Sequence, residues 1–172
     1  VRLRKLDSLD IEKPKTEISL IMVGDMLMHE PVIASGRQED DTYNFDHLFT
    51  HVRDTVGSAD IAIVNQETIL GGTELGLSGY PVFNSPYEVG DAEVKAGFNV
   101  ILQATNHAYD MKEAGILNDI GFWEERHPEI PYLGIHKDRE HKEDYLYIFE
   151  KDGIRIAILN YTYTTNGGRI PE

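Results

Sequence analysis

Three short runs of apolar residues stand at intervals along the chain, and each run is closed by polar or turn-forming residues. The runs occupy residues 17–23, 60–65 and 99–104. Their length and density are typical of strands that are buried on both faces of a sheet. We therefore predict three buried strands, with residues 132–135 as a short fourth strand.

Between the first two runs the apolar residues recur at helical spacing. The stripe comprises Phe45, Leu48, Phe49, Val52 and Val56. Residues spaced in this way lie on one face of an amphipathic helix, with the polar residues of the segment on the other faces. The pattern predicts a helix that ends at Gly57.

Two further helices are predicted where a start signal precedes a helical run and a breaker follows it. Residues 85–96 begin with Ser-Pro and are followed by Gly97, and proline suits a first helical turn as glycine suits the stop. The next helix starts near Asp110 and ends before Pro128, which cannot continue a helix. Its apolar face would comprise Ile116, Ile120 and Trp123.

The order of these elements predicts the fold class. Strand and helix alternate three times, which favours right-handed crossovers and a mainly parallel sheet between helices. Residues 145–149 and 154–161 flank a Lys-Asp-Gly turn, which predicts an antiparallel hairpin at one side of the sheet. Residues 1–16 contain few apolar residues and are interpreted as a tether or extension. We therefore predict an α/β fold over residues 17–172, with the glycines of residues 71–79 forming a mobile loop.

Composition narrows the possible functions. The chain has 172 residues, of which 41% are hydrophobic, enough for one domain or a large part of a bigger one. It carries 30 acidic and 16 basic residues, and its formal charge of −14 argues against binding to nucleic acid. It contains no cysteine, which excludes thiolate zinc sites, disulfides and cysteine nucleophiles. Any metal must therefore be held by His, Asp, Glu or Asn.

Polar side chains able to bind a metal or a phosphate follow each of the three strands. In chain order they are Asp25, then Asn65 and Glu67, then Asn106, His107 and Asp110. Because the carboxyl ends of parallel strands lie at one edge of a sheet, three separate loops would meet there. The sequence therefore predicts one site at this edge.

The residue types at this edge suit a hard or borderline divalent cation. Asp25 and Glu67 are the strongest candidate ligands, and Asn106 is a further one. His107 could bind the metal directly or act as a general acid toward a leaving oxygen. Asn65 points to the same face as Glu67 if the strand geometry continues, and could share a ligand with it.

Each of these residues also has a purely structural interpretation. A Gly-Asp pair after a strand is often only a turn, so Asp25 could be a turn residue. Asp110 could be the N-cap of the helix that follows it. His29 could contact a metal or a substrate, or could instead cap a helix or lie in solvent. The remaining histidines are interpreted as non-functional: His47, His51, His127, His136 and His141.

Five segments together resemble the CapA-type family of bacterial capsule and poly-γ-glutamate synthesis proteins, whose domain is similar to the calcineurin-like metallophosphoesterases. The segments are MVGDMLMHEP, YNFDHLFTHV, ADIAIVNQET, FNVILQATNHAYD and GIRIAILNYTYTTNG. They stand in the order that the family has, and they extend over most of the chain from about residue 18 to residue 168. Their combination and order are more specific than any one of them.

The resemblance implies the same site residues. The strand-end Asp of the family falls on Asp25, and its Asn-x-Glu falls on Asn65 and Glu67. Its Asn-His-x-x-Asp falls on Asn106, His107 and Asp110. A fold of two layered sheets flanked by helices is implied, with a divalent metal ion such as manganese, zinc or magnesium. Thr105 stands where the family often has a second Asn, and Lys112 where it usually has Gly, so the loop around His107 is expected to differ.

Function and partners are likewise implied by the resemblance. The first hypothesis is a metal-dependent, phosphoesterase-like hydrolase acting on an anionic polymer or a phosphoester. The second is a non-catalytic accessory or scaffold protein of a membrane-bound polymer synthase and export complex. The resemblance also implies a location in the cell envelope, extracytoplasmic and membrane-associated. The family has a later histidine-containing motif, so residues 17–172 are expected to be the N-terminal part of the domain.

Overall fold

A parallel sheet of four strands forms the centre of the protein. The computed structural model describes residues 15–144 and 146–168. The strands are β1 (Leu20–Asp25), β2 (Ile61–Asn65), β3 (Val100–Leu102) and β4 (Tyr132–Leu133), hydrogen-bonded in that order. All three neighbouring pairs are parallel. The fold is therefore α/β, as the alternation of strands and helices predicts.

Five α-helices connect or follow the strands in the described part of the chain. They are α1 (Glu30–Gly36), α2 (Arg53–Val56), α3 (Glu88–Ala96), α4 (Lys112–Arg126) and α5 (Arg139–Asp144). Two short 3-10 helices, Asp46–Phe49 and Thr73–Leu75, lie in the connections. Among the described residues no helix combines the length and the apolar character needed to cross a membrane.

The two central strands bury both of their faces, because successive side chains of a strand point to opposite sides of the sheet. One face packs in the main core, to which α4 contributes Ile120, Phe122 and Trp123 and the strands contribute Ala62, Val64 and Ile101. The opposite face packs in a second apolar cluster, which contains Ile61, Ile63, Val100, Leu102 and Leu133. The continuous apolar runs in the sequence are explained by this double burial.

The predicted hairpin forms, but it does not extend the parallel sheet. Its strands, β5 (Tyr147–Lys151) and β6 (Ile154–Ile158), pair only with each other as a two-stranded antiparallel sheet. Its apolar side chains, Tyr147, Phe149, Ile156 and Ile158, pack on the second apolar cluster of the parallel sheet. The protein is therefore a sandwich in which helices cover one face of the sheet and a hairpin covers the other.

Burial of the first strand was not predicted correctly. β1 lies at the edge of the sheet, and Leu20 and Met22 are 52% and 60% exposed. The apolar sequence of β1 resembles those of the central strands, so the sequence pattern alone could not distinguish an edge strand from a central one.

The predicted helix over the stripe from Phe45 to Val56 is divided into two short pieces. A 3-10 helix carries Phe49, and α2 carries Val56, while Val52 between them is 45% exposed. Aromatic and β-branched residues dominate this segment and have low intrinsic helix propensity. Packing of the aromatic rings in the core therefore determines the local backbone, and the helical periodicity is not maintained.

Asp60 links three elements at the amino ends of the strands. Its Oδ2 accepts hydrogen bonds from the Ser19 backbone N and the Ser19 Oγ, at 2.9 Å and 3.0 Å. Its Oδ1 pairs with Lys151 Nζ of the hairpin. These partners lower the pKa of Asp60 to about 2, with the Lys151 ammonium as the largest cause. The side chain thus ties β1 and the hairpin to the start of β2.

We expect Asp60→Asn to lower the melting temperature at neutral pH, because the variant loses the ion pair to Lys151. The pKa of Asp60 is lower in the folded protein than its ordinary value of 3.8, so its contribution is present above about pH 4. That contribution is lost as the pH falls from 4 toward 2. Thermal unfolding of both proteins between pH 7 and pH 2 should therefore show curves that converge in acid. The fully exposed Asp54 provides the control Asp54→Asn, and equal melting temperatures of Asp60→Asn and wild type at pH 7 would contradict the assignment.

Candidate functional site

The carboxyl ends of β1, β2 and β3 lie side by side. Asp25 is opposite Asn65 in the pairing of β1 with β2, and Asn65 is opposite Leu102 in the pairing of β2 with β3. Two backbone bonds continue the ladder past these residues, from Met26 N to Asn65 O at 2.8 Å and from Gln66 N to Leu102 O at 2.8 Å. The predicted meeting of the three strand ends at one edge is confirmed.

Two carboxylates lie close together at this edge. The Asn65 Nδ2 donates a hydrogen bond of 2.6 Å to Asp25 Oδ1, and Glu67 lies beside the same aspartate. The pKa of Glu67 is raised, first by burial and then by the negative charge of Asp25. A hydrogen bond that only protonated Glu67 can donate to Asp25 acts in the same direction. The free site therefore favours a proton, or another positive charge, between the two carboxylates.

His107 and Asp110 form a second, largely buried pair. The His107 Nδ1 and the Asp110 Oδ2 are 2.7 Å apart, and their side chains are 12% and 7% exposed. The same Asp110 oxygen accepts a hydrogen bond of 2.8 Å from the Phe83 backbone N. Because Asp110 fixes Nδ1, the ring nitrogen Nε2 is the one left to meet a ligand.

The alternative in which Asp110 caps α4 is wrong. The N-cap position of α4 is occupied by Met111, and no side chain makes a cap hydrogen bond there. The Asp110 carboxylate instead bonds to His107 and to the backbone of Phe83. Its position one residue before the N-cap explains why the sequence pattern suggested a cap.

His29 packs against Phe83, the same ring that His107 contacts. The His29 ring lies edge-on to Phe83 with centroids 5.1 Å apart, and the His107 ring does so at 4.6 Å. His29 is exposed and occupies the N-cap position of α1, where its side chain makes no cap hydrogen bond. Positive charge on either imidazole would lower the pKa of Glu67, against burial and the Asp25 charge, which raise it more. His29 and His107 therefore both lie near the Glu67 carboxylate, which Asp25 also approaches.

Thr105 connects the loops that carry Glu67 and His107. Its Oγ1 donates a hydrogen bond of 2.7 Å to Glu67 O and accepts one of 3.1 Å from His107 N. In the next turn Asn106 Nδ2 makes a longer contact of 3.3 Å with Asn166 Oδ1. Asn106 thus lies at the edge of the site, beside His107, and the hydroxyl of Thr105 orders the loop.

A buried acidic network lies behind these loops. The Asp119 carboxylate of α4 accepts hydrogen bonds from Leu70 N at 2.7 Å and from Gln103 Nε2 at 2.7 Å and 2.8 Å. Leu70 and Gln103 belong to the segments that follow β2 and β3. Burial raises the pKa of Asp119 to about 6, against the hydrogen bonds that lower it. Asp119 therefore holds together the two segments that present Glu67 and His107.

A cavity of about 450 Å³ opens at the His107 side of the site. Its lining combines His107 and Asp110 with amide, hydroxyl, aromatic and cationic side chains. The lining residues are Tyr80, Pro81, Val82, Asn106, His107, Asp110, Lys112, Thr165 and Asn166. The rim is formed by residues 80–82 and not by the loop at 71–79 that was predicted to be mobile. Asn84 holds that loop in place, because its Nδ2 donates hydrogen bonds to Gly72 O at 2.9 Å and to Gly76 O at 3.0 Å.

The donors at this edge meet part of what a divalent cation requires. Asp25 and Glu67 supply paired carboxylates, and the pKa of Glu67 is raised by burial and by the charge of Asp25. No group of three or more His, Asp and Glu side chains within residues 15–144 and 146–168 is arranged to hold a metal ion. The described residues therefore fit a cation in chemical type and supply part of a ligand set.

Several residues that build the site were not singled out from the sequence. Asp119 lies on the apolar face of the predicted third helix, between Ile116 and Ile120. A charged residue on an apolar face indicates a buried polar group, so this role could have been predicted from the sequence. Phe83 and Asn166 gave no comparable signal, because their roles depend on contacts between segments distant in sequence.

Comparison with protein families identifies the family of the chain. Residues 19–171 match the family described as bacterial capsule synthesis protein PGA_cap. No curated protein matches the sequence. The match extends over all six strands and five helices of the described structure. The chain belongs to the bacterial capsule synthesis protein family PGA_cap, and its role is in capsule synthesis.

Proposed function

We propose that the polar side chains at the carboxyl ends of β1, β2 and β3 form the centre of a metal-dependent, phosphoesterase-like hydrolase. The enzyme would act during capsule or poly-γ-glutamate synthesis. The substrate would be a phosphoester or a bond in an anionic polymer. The protein would work in the cell envelope, outside the cytoplasm, together with a membrane-bound polymer synthase complex.

The observation that carries this proposal is the pair of carboxylates at the ends of β1 and β2. Two negative charges at close range are unfavourable in the free protein, and burial adds to that cost for Glu67. A divalent cation would offset the repulsion and take Asp25 and Glu67 as ligands, with Asn106 or His107 as further donors. When bound, the cation would polarise a phosphoryl oxygen and make a bound water more acidic.

His107 is suited to proton transfer in such a reaction. Asp110 accepts from Nδ1 and orients the ring, and the buried position of the pair limits other orientations. With Nδ1 donating to Asp110, Nε2 can take up or release a proton at the leaving oxygen in the cavity. Asn65, which contacts Asp25, and His29, which packs on Phe83, would hold the substrate near the carboxylates.

A non-catalytic role is the second candidate. The described residues contain no group of three His, Asp and Glu side chains arranged for a metal, which favours a cleft that binds without hydrolysis. In that case the protein would be an accessory or scaffold subunit of the polymer synthase and export complex, and the same cavity would hold an anionic ligand or partner.

Hydrolysis of a chromogenic phosphodiester, bis(p-nitrophenyl) phosphate, distinguishes the two candidates. The hydrolase proposal predicts activity of the purified protein that requires manganese, zinc or magnesium. Asp25→Asn and His107→Gln should each lower the rate by roughly 100-fold or more, the usual cost of losing a ligand or a general acid. The exposed Asp54→Asn serves as the control and should keep the wild-type rate. Metal-independent rates, or wild-type activity in both site variants, would exclude this hydrolase mechanism.

A further inference from the structure

Lys112 adopts a backbone conformation that lysine rarely takes. Its φ is 58°, in the left-handed region. The other described non-glycine residues with positive φ are Asp41, Asp152 and Asn166. Aspartate and asparagine tolerate this region, whereas a long side chain gains no local hydrogen bond to offset the strain. Lys112 thus stands at a position where glycine or asparagine would be less strained.

The Lys112 side chain lies at the cavity that His107 and Asp110 also line. Its Nζ is 5.3 Å from the centroid of the Tyr109 ring, within the range of a cation–π contact. Within the described residues no carboxylate lies within 4 Å of this ammonium, whereas Lys95, Lys137 and Lys151 are each ion-paired. An unpaired cation beside a cavity is unusual in a chain with a net charge of −14.

Other polar groups around the cavity suit the same kind of ligand. Asn106 and Asn166 contribute amides, and Thr165 contributes a hydroxyl, so the lining offers neutral hydrogen-bond donors beside one cation. Among the described lining residues the only carboxylate is Asp110, which is 7% exposed and engaged with His107 and Phe83 N. The accessible part of the cavity therefore favours a negatively charged group more than the surface as a whole does.

We propose that Lys112 is a specificity-determining residue that binds an anionic oxygen group of the substrate, a carboxylate or a phosphate, in the cavity next to His107. This inference rests on the proposed function for the identity of the cavity, and it deepens that function by assigning the anionic group to a particular side chain. Strained backbone residues concentrate at functional sites, and the left-handed backbone of Lys112 beside the cavity fits that pattern.

Binding of two probes tests this proposal without reference to catalysis. Inorganic phosphate and a short glutamate oligomer are titrated separately into the purified protein by calorimetry, in the presence of a chelator. We expect the wild type to bind at least one of them, and Lys112→Asn to weaken that binding by roughly three- to tenfold, as for loss of one solvent-accessible charged contact. The probe that responds identifies phosphate or carboxylate as the recognised group.

Three further variants make the result specific. Lys112→Arg keeps the charge and should bind within about twofold of wild type. Lys15→Asn removes an equivalent positive charge near the amino end of β1 and should have no effect. Lys112→Gly and Lys112→Asn should melt at or above the wild-type temperature, because both relieve the backbone strain, so that weaker binding cannot be attributed to unfolding.

The proposal is overturned if the wild type binds neither probe, or if Lys112→Asn binds both as the wild type does. These outcomes are separate from failure of the hydrolase proposal, because the titrations contain no metal. Lysine-dependent binding without metal-dependent hydrolysis would support the role of Lys112 and favour the non-catalytic candidate. Metal-dependent hydrolysis with unchanged binding in Lys112→Asn would overturn the role of Lys112 alone.

Discussion

Replacing Asp119 by alanine is expected to lower the free energy of unfolding by about 3–5 kcal/mol. The substitution leaves the buried Leu70 N–H and the Gln103 side-chain amide without their acceptor, and each unsatisfied buried donor costs about 1–3 kcal/mol. Denaturant unfolding of the variant and the wild type at about pH 4, where the contribution of Asp119 is fully present, measures the difference. A loss below about 1 kcal/mol would show that the network does not hold the two segments together.

Glu93 provides a matched control for this prediction. It is fully buried on α3, and neither of its carboxyl oxygens has a hydrogen-bond partner among the described residues. Burial, followed by the charge of Asp119, raises its pKa well above the ordinary value and favours the neutral form. Glu93→Gln introduces a neutral side chain of similar shape. We expect it to change stability by no more than about 1 kcal/mol.

The same two acids set the direction of the pH dependence. The folded pKa of Asp119, about 6, lies above its ordinary value of 3.8, so the unfolded chain releases this proton more easily. The contribution of Asp119 is therefore fully present below about pH 4 and declines as the pH rises through 6. Glu93 acts in the same direction, because its pKa is also raised. The Asp60 contribution has the opposite sign, and it is lost in acid below pH 4.

Much of the fold could be predicted from the sequence, because burial on two faces leaves a clear pattern. The central strands at residues 61–65 and 100–102 lie within the predicted runs, and α3 and α4 lie within the predicted helices. The short α1 and α5 were not predicted. α1 has seven residues and α5 has six, too few to show a helical period, and α5 consists only of charged residues and a histidine.

The sequence predicts which residues meet at the site better than it predicts the contacts that they make there. Parallel strand order brings Asp25, Asn65 and Glu67 to one edge, and this follows from topology alone. Which partner each side chain takes depends on packing between distant segments. The bond from Phe83 N to Asp110 joins residues 27 positions apart. Together with the contact to His107 it places the Asp110 carboxylate away from the alternative role of a helix cap.

Strain at Lys112 illustrates a third kind of information. The family resemblance indicated that glycine is usual at this position, and the left-handed φ of 58° gives the physical reason for that preference. The departure from glycine was visible in the sequence. That this lysine lies beside a cavity could be seen only in the structure, which shows where His107 and the residues around it lie.

The second large effect is expected from metal binding. If Asp25 and Glu67 hold a cation, the folded state alone binds it, and a metal concentration of 100 times Kd stabilises the protein by about 2.7 kcal/mol. The variants Asp25→Asn and Glu67→Gln should lose this stabilisation. In the absence of metal they should be as stable as the wild type or more stable, because each removes one of two repelling charges.

The most direct test of the central claim is the melting temperature of the wild type, Asp25→Asn and Glu67→Gln, each with and without excess manganese, zinc or magnesium. Asp54→Asn, an exposed carboxylate outside the site, controls for nonspecific metal binding. We predict a rise of several degrees with metal in the wild type and in Asp54→Asn, and none in the two site variants. No rise in the wild type with any of the three metals, or an undiminished rise in both site variants, would contradict the metal-dependent hydrolase.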